Sequence, residues 1–310
     1  MFTNAMTAVA AIQNPLVPDT DLNGAETWLF YMTNNNNFAM QRRLSGSQDP
    51  NVPIDIPTGV LCNPSTLCAL RYKNAVEAYG MVAGKDPEYN LIYMLYAISP
   101  FYRCLGYSTY MPVNAACGDG KELGWIYCLN NDKQQPTLYE LPLTGGPTPQ
   151  IMGLPRPLVT SYLAACYEPH LQTRYVFYQG LTNDQSSQII HCFQADSSTD
   201  QPVDSTYDIK TDNSPLACCV IPRASGAGNL VVLYFTQNGG TLRRSTYDPA
   251  TNKWTASSGS AMSQAPLVDQ ASQLTVMPDM TMKKIRVFFV QKTNPTGGFT
   301  LWEDDYVQAD

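Results

Sequence analysis

The residues that could carry chemistry in this chain are few and widely dispersed. His170 and His191 are its two histidines, and the nine cysteines include no Cys-x-x-Cys pair, so their spacing suits no zinc site. The chain has no G-x-S-x-G elbow, phosphate loop or nicotinamide fingerprint. Acidic residues such as Glu168, Asp304 and Asp305 form no recognisable pair. We therefore expect no metal and no cofactor. The chemistry that remains is one of shape and a few hydrogen bonds, which holds reactants as near-attack conformers.

The cysteines fall into two groups. Cys62 with Cys68, and Cys104 with Cys117, could form disulfides in an oxidising compartment. The others lie in apolar, strand-like runs and are expected to be small buried side chains: Cys128, Cys166, Cys192, Cys218 and Cys219. The first fifteen residues lack the basic start and apolar segment of a signal peptide. We expect a soluble chain that is either cytoplasmic or secreted and already mature.

Composition excludes two classes of partner. The net charge is −7 and only 15% of the residues are charged, which argues against a nucleic-acid footprint and against an anionic membrane surface. No apolar run approaches the roughly 20 residues that would span a bilayer. We expect a small molecule or a glycan as the partner.

A unit of roughly 50 residues recurs six times, which is the range of propellers and repeat arrays. Each unit holds three strand-like elements, and helical periodicity is almost absent. The first element is short and rich in small residues, at 7–13, 65–72, 113–119, 161–167, 215–221 and 272–278. The second is aromatic and β-branched, at 27–32, 76–82, 124–129, 174–179, 230–236 and 285–291. The third is of mixed polarity, at 38–44, 91–96, 137–143, 188–193, 241–247 and 299–306.

These repeats predict an all-β fold, a six-bladed β-propeller with about four antiparallel strands in each blade. Asn, Asp and Gly dominate the turns between the second and third elements because they tolerate positive φ. The small first strands suit the crowded centre, and the aromatic second strands suit the space between blades. The prediction is one domain over residues 1–310, in which Met1–Asn4 complete the last blade and close the ring.

The repeated units resemble the fungal fucose-specific lectins, which are six-bladed propellers. The resemblance rests on Leu163-Ala164-Ala165 in the first strand, Arg286-Val287-Phe288-Phe289 in the second and Leu242-Arg243-Arg244 in the third. It implies sugar sites between adjacent blades. There an Arg opening the second strand and a Glu on the third hold hydroxyl groups, and an aromatic ring covers the apolar face of the sugar.

The last blade alone keeps both charges that this resemblance requires, with Arg286 on its second strand, Glu303 on its third and Trp302 beside Glu303. Elsewhere the paired positions read Trp28 with Met40, Glu77 with Met94, Trp125 with Glu140, Tyr175 with His191, and Val232 with Arg244. Arg174 lies one residue before Tyr175 and therefore points to the opposite face of its strand. Each candidate also has an ordinary structural interpretation. Arg286 and Glu303 could form a cross-strand ion pair, Trp28 and Trp125 could fill the space between blades, and His191 could be a partly buried, hydrogen-bonded histidine.

Three functions are consistent with this pattern. The first is an apolar small-molecule pocket, because this chain resembles the lectin-like fungal propellers that look to have been recruited as cofactor-independent pericyclases. These perform a hetero-Diels–Alder cycloaddition of a quinone methide, a polyketide product, with a sesquiterpene, and the aromatic residues between Phe101 and Tyr110 suit such a pocket. The second is a lectin for fucosylated glycans with few working sites. The third is a scaffold that binds protein through its loops.

Overall fold

Six antiparallel β-sheets, arranged as the blades of a propeller, make up the computed structural model of the chain. The structure describes residues 7–15, 26–33, 36–43, 54–87, 91–131, 136–145, 150–153, 155–182, 187–203, 206, 209, 213–223, 228–256, 262–280, 282–293 and 298–305. Helical structure in these ranges is limited to short 3-10 turns such as Asn238–Gly240. The predicted all-β, six-bladed architecture is confirmed.

Within each blade the strands follow chain order from the centre of the propeller to its rim. Blade 1 contains β1 (Val9–Gln13), β2 (Thr27–Met32), β3 (Asn37–Arg43) and β4 (Ile54–Val60). Blade 2 contains β5 (Leu67–Tyr72), β6 (Ala75–Gly84), β7 (Ile92–Ser99) and β8 (Arg103–Thr109). Blade 3 contains β9 (Asn114–Gly118), β10 (Gly124–Asn130), β11 (Thr137–Pro142) and β12 (Gln150–Met152).

The second half of the chain repeats this arrangement. Blade 4 contains β13 (Leu163–Glu168), β14 (Thr173–Leu181), β15 (Gln188–Gln194) and β16 (Thr199–Pro202). Blade 5 contains β17 (Leu216–Pro222), β18 (Asn229–Gln237), β19 (Thr241–Asp248) and β20 (Lys253–Ala256). Blade 6 contains three strands in the described residues, β21 (Thr275–Asp279), β22 (Lys284–Val290) and β23 (Phe299–Asp305).

The seam between blades 6 and 1 is held by Gln273 and by the residues that precede β1. Thr7 forms a parallel bridge with Ser272. The side chain of Gln273 accepts the N–H groups of Val9 at 3.1 Å and Leu67 at 2.9 Å, and its amide donates to the Leu67 carbonyl at 2.6 Å. One buried amide thus joins blades 6, 1 and 2. The predicted closing strand at Met1–Asn4 lies outside the described residues.

The six first strands surround a narrow axial cavity of about 110 Å³. Alanine lines much of it, for example Ala10 and Ala11 of β1 and Ala164 and Ala165 of β13. Six strands can meet at one axis only if their side chains are small. The small side chains of the first element therefore predicted correctly that this strand lies beside the propeller axis.

One position of the second strand is a fully buried aromatic ring in every blade. It lies opposite the third or fourth residue of the first element of the repeat, and its occupants are Phe30, Tyr79, Tyr127, Phe177, Tyr234 and Phe288. Each ring belongs to a different one of six hydrophobic clusters that pack neighbouring blades together. Burial of these large rings stabilises the interfaces between blades.

The structure holds all nine cysteines as free thiols. Cys104 is exposed, Cys218 is partly buried, and the other seven are buried. Burial raises the pKa of the Cys62 thiol to about 12 and raises the pKa of Cys68 and Cys192 well above the ordinary value. No helix in the described ranges is long and apolar enough to cross a membrane.

Candidate functional site

The strand register places the six expected second-strand positions at equivalent sites. Arg286 lies opposite Met277 of β21, and Trp125 lies opposite Cys117 of β9. The same relation to the first strand holds for Trp28, Glu77, Tyr175 and Val232. These side chains face the next blade of the ring, as the sugar-binding Arg would under the resemblance.

Most third-strand residues do not lie opposite the second-strand residues with which the sequence paired them. Arg286 lies opposite Glu303, as expected. Trp125, however, lies opposite Pro142, and Glu140 lies two residues away, opposite Tyr127. The remaining expected partners are also displaced, since Arg244 lies opposite Tyr234 and His191 opposite Tyr178, and not opposite Val232 and Tyr175. The turns between second and third strands differ in length, and turn length sets the register of a hairpin.

Arg286 is an interior residue, with a side chain only 2% exposed. Its Nη2 donates to Asp279 Oδ2 at 2.7 Å, and its Nη1 donates to Thr27 Oγ1 of blade 1 at 3.1 Å. Glu303 lies farther away, at 3.8 Å from Nε, and accepts a hydrogen bond from Lys284 Nζ at 3.0 Å. The guanidinium therefore binds protein groups at the interface between blades 6 and 1.

Trp302 lies on the other side of blade 6. It packs into the cluster formed by blades 5 and 6, together with Val287 and Ile285. Arg286 and Glu303 face blade 1, because neighbouring residues of a strand point to opposite faces. Trp302 therefore cannot cover a ligand held by Arg286 and Glu303, contrary to the arrangement expected from their closeness in sequence.

Blades 3 and 4 bring together the best-equipped cluster among the described residues. Arg174 Nη1 lies 2.6 Å from Glu140 Oε1, and Arg174 Nη2 lies 2.6 Å from Asp196 Oδ1. The guanidinium carbon lies 4.6 Å from the centre of the Trp125 ring, which in turn stacks on Tyr167 at 5.7 Å. A guanidinium, two carboxylates and two aromatic rings thus share one interface. We call this set the blade 3–4 cluster.

Hydrogen bonds fix the geometry of the blade 3–4 cluster. Tyr127 donates its hydroxyl proton to Glu140 Oε2 at 2.7 Å, and burial together with this carboxylate raises the pKa of Tyr127. Burial by itself would favour the neutral form of Arg174, but its hydrogen bonds with Asp196 and the charge of Glu140 raise its pKa. Arg174 is therefore a permanent cation with a side chain 13% exposed.

The sequence pattern paired Trp125 with Glu140 in blade 3 but did not bring Arg174 of blade 4 to them. Arg174 was set aside because it points away from Tyr175. In a propeller that opposite face meets the preceding blade, which is where Trp125 and Glu140 lie. Strand alternation was thus the signal that could have found this contact. Nothing in the sequence pattern indicated that Tyr167 and Asp196 would join this contact.

The interface between blades 5 and 6 carries a related contact with its charges reversed. Arg244 Nη1 of blade 5 lies 2.6 Å from Asp304 Oδ2 of blade 6. Tyr234, the counterpart of Tyr127, donates its hydroxyl proton to Asp304 at 2.6 Å. In the blade 3–4 cluster the carboxylate lies on the earlier blade and the Arg on the later one. Between blades 5 and 6 the Arg lies on the earlier blade and the carboxylate on the later one.

The other expected site residues have structural partners. His191 stacks on Tyr178 at 5.1 Å, with Nδ1 3.2 Å from Asp200 Oδ2 and Nε2 3.0 Å from the Leu181 carbonyl. Tyr175 is buried and meets Tyr247 edge to face at 5.8 Å. Trp28 donates its indole N–H to Glu26 at 3.1 Å. Glu26, which sequence reasoning did not single out, is buried and forms a two-point ion pair with Arg42.

No protein-family model matches the chain. Over 249 residues it is 24% identical to the wall-associated proteinase of Coccidioides immitis, a match that covers 76% of each chain. The fucose-specific lectin from Aleuria aurantia has 14% identity and a TM-score of 0.64, and covers 97% of this chain and 93% of its own. The SapL1 lectin in complex with alpha methyl fucoside has 12% identity, the same TM-score and the same coverage. The chain therefore has the six-bladed propeller fold of the fucose-specific lectins.

Proposed function

We propose that this protein is a glycan-binding propeller whose ligand site is the blade 3–4 cluster. The observation that carries the proposal is the position of Arg174, 2.6 Å from Glu140 and 4.6 Å from the centre of the Trp125 ring. Carboxylates accept hydrogen bonds from sugar hydroxyls, and aromatic rings pack against the apolar face of a pyranose. Trp125 and Tyr167 are partly exposed, and the Asp196 side chain is 36% exposed, so solvent reaches the cluster.

The structural neighbours support the class of ligand. Two of them are described as a fucose-specific lectin and as a lectin bound to alpha methyl fucoside. Fold likeness alone assigns no site, and sites are recognised by the chemistry of their residues. In this chain that chemistry is gathered between blades 3 and 4, whereas Arg286 between blades 6 and 1 is buried against Asp279.

The cycloaddition hypothesis stays a prediction with less support. The axial cavity holds about 110 Å³ and none of its lining residues is aromatic. Pockets for drug-sized ligands have volumes of roughly 300–1,000 Å³ and are rich in apolar side chains. A quinone methide and a sesquiterpene together would not fit along this axis.

The described residues give no support to the proteolytic activity in the name of the Coccidioides relatives. No hydrogen bond joins His191 to a serine, threonine or cysteine side chain in the described ranges; its Nε2 lies 3.0 Å from the Leu181 carbonyl and its Nδ1 lies 3.2 Å from Asp200 Oδ2. No group of His, Cys, Asp or Glu side chains in the described ranges could hold a metal ion.

The proposal is tested by glycan-array binding and titration calorimetry on the intact chain. Arg174→Ala and Trp125→Ala are each expected to weaken glycan binding by about tenfold or more, because Arg and Trp are enriched among the interface residues whose truncation costs about 2 kcal/mol or more. Arg244→Ala is the matched control, since Arg244 has the same 13% exposure and also bridges two blades. It is expected to bind as the unchanged protein does.

Two results would overturn the proposal. One is that the unchanged protein binds no glycan on the array. The other is that Arg244→Ala loses as much affinity as Arg174→Ala at matched folded fraction, measured by circular dichroism. If Arg286→Ala alone abolished binding, the ligand would lie between blades 6 and 1.

A further inference from the structure

The guanidinium donors of Arg174 in the blade 3–4 cluster are already engaged by the protein. Arg174 Nη1 binds Glu140, while Nε and Nη2 bind Asp196 Oδ1 at 2.9 and 2.6 Å. The Tyr127 hydroxyl donates to Glu140 at 2.7 Å. A sugar that carries a carboxylate or sulfate group would need two N–H donors of the guanidinium. It would therefore have to displace the Glu140 or Asp196 carboxylate first.

What the cluster offers a ligand is negative charge. The exposed carboxylate of Asp196 lies at its rim, and Asp119 lies on the turn before Trp125, where it accepts the N–H groups of Lys121 and Leu123. Burial and the charges of Asp119, Asp196 and Glu168 raise the pKa of Tyr167. Within the cluster itself, the two carboxylates of Glu140 and Asp196 face one cation, Arg174, which leaves a net negative charge.

The aromatic surface of the cluster is suited to cations. The Arg174 guanidinium lies over the Trp125 ring at 4.6 Å, and Trp125 and Tyr167 stack with their planes 27° apart. Attraction of a cation to an indole face is strongest for Trp and increases as the site is desolvated. A second positive group at the rim would meet both a ring and the Asp196 carboxylate.

We infer that the blade 3–4 cluster selects amino sugars with a free ammonium group, such as glucosamine units, over N-acetylated and acidic sugars. This inference rests on the proposed glycan-binding function and specifies its ligand. An ammonium donates hydrogen bonds and carries a positive charge, whereas an acetamide carries no charge and a uronic acid is repelled.

The test compares three short oligosaccharides of equal length by calorimetry: a glucosamine trimer, an N-acetylglucosamine trimer and a galacturonic acid trimer. The glucosamine trimer is expected to bind roughly fivefold more tightly than the N-acetylated trimer, since one close charge contact contributes about 1 kcal/mol in high dielectric. Added salt should reduce this preference, because the contact is solvent-exposed and the Debye length falls from about 10 Å at 0.1 M to about 3 Å at 1 M. The galacturonic acid trimer is expected to bind weakest.

Two variants distinguish binding at the cluster from nonspecific attraction of a cationic sugar to an acidic protein. Asp196→Asn is expected to lower the ratio of glucosamine to N-acetylglucosamine affinity, whereas Asp305→Asn, at an 85% exposed carboxylate on blade 6, should leave that ratio unchanged. Equal binding of the two trimers, or a glucosamine preference that survives Trp125→Ala, would overturn the inference while other glycan binding stands. Binding of no oligosaccharide at all would overturn the proposed function itself.

Discussion

Arg286 and Asp279 form a buried ion pair within blade 6, with Nη2 2.7 Å from Oδ2 and side chains 2% and 0% exposed. Arg286 is the residue to which the resemblance assigns sugar recognition. Here it joins β21 to β22 and reaches Thr27 of blade 1 at 3.1 Å. The charge that would hold a ligand in such a lectin therefore contributes to the closing interface of the ring.

Truncation of this pair is expected to destabilise the fold. Arg286→Ala leaves Asp279 charged and buried, and removal of one partner of a buried pair costs about 3–5 kcal/mol. Lys284→Ala is the comparison, because the Lys284–Glu303 pair is roughly one-third exposed on both sides and exposed pairs contribute about 0–1 kcal/mol. Urea unfolding monitored by tryptophan fluorescence measures both. Equal losses in the two variants would contradict the structural role of Arg286.

The tyrosine hydroxyls between blades give a second expectation. Tyr127→Phe and Tyr234→Phe are each expected to lower the free energy of unfolding by about 1–3 kcal/mol, because Glu140 and Asp304 each lose a buried donor. Phe already occupies the equivalent position in blades 1, 4 and 6, so the ring itself fits. Tyr102→Phe, at a 44% exposed ring, should change stability by less than about 0.5 kcal/mol. A loss at Tyr102 as large as that at Tyr127 would refute this account.

The Glu26–Arg42 pair predicts a pH dependence of stability. Hydrogen bonds from Arg42 lower the pKa of Glu26 in the folded state, although burial opposes them. The stabilisation from this pair is fully present above the unfolded-state pKa of Glu26, about 4.3. It is lost as the pH falls through the lower folded-state pKa. Glu26→Gln should therefore cost about 1 kcal/mol at neutral pH and progressively less in acid.

Chemical unfolding of Glu26→Gln and the unchanged protein over the range from neutral to acid pH measures this difference. Arg42 is 56% exposed, so the effect remains modest even at low salt. The exposed Glu122 gives the control, since Glu122→Gln is expected to change stability little at either pH. A Glu26→Gln effect that grows on acidification would show the opposite sign and refute the assignment.

Thiol labelling is expected to find one reactive cysteine in the native protein. Cys104 is exposed, whereas burial raises the pKa of thiols such as Cys62, Cys128 and Cys219 and keeps them uncharged. Treatment with a maleimide should add one label by intact mass, and Cys104→Ser should add none. In denaturant all nine cysteines should react. A second label under native conditions would show that another cysteine is accessible.

The sequence by itself determined the blades. Antiparallel strands joined by short turns are local structure, so the alternation of small, aromatic and mixed strands identified six sheets, their strand order and the residues beside the axis. It also identified Trp28, Glu77, Trp125, Tyr175, Val232 and Arg286 as equivalent, because the first hairpin of each blade has a regular register. Expectations that depended on that hairpin alone agree with the structure.

The tertiary structure alone decided which charges meet. The register of the third strand depends on turn length, so Glu140 lies opposite Tyr127 and not opposite Trp125. Arg174 and Glu140 belong to neighbouring blades, and their 2.6 Å contact arises only when two sheets pack face to face. Asp279 captures Arg286 because the side chain turns into the interior, where a buried guanidinium must be paired. Spacing along the chain encodes the neighbours within the first hairpin of each blade, but contacts between sheets depend on packing that no local pattern records.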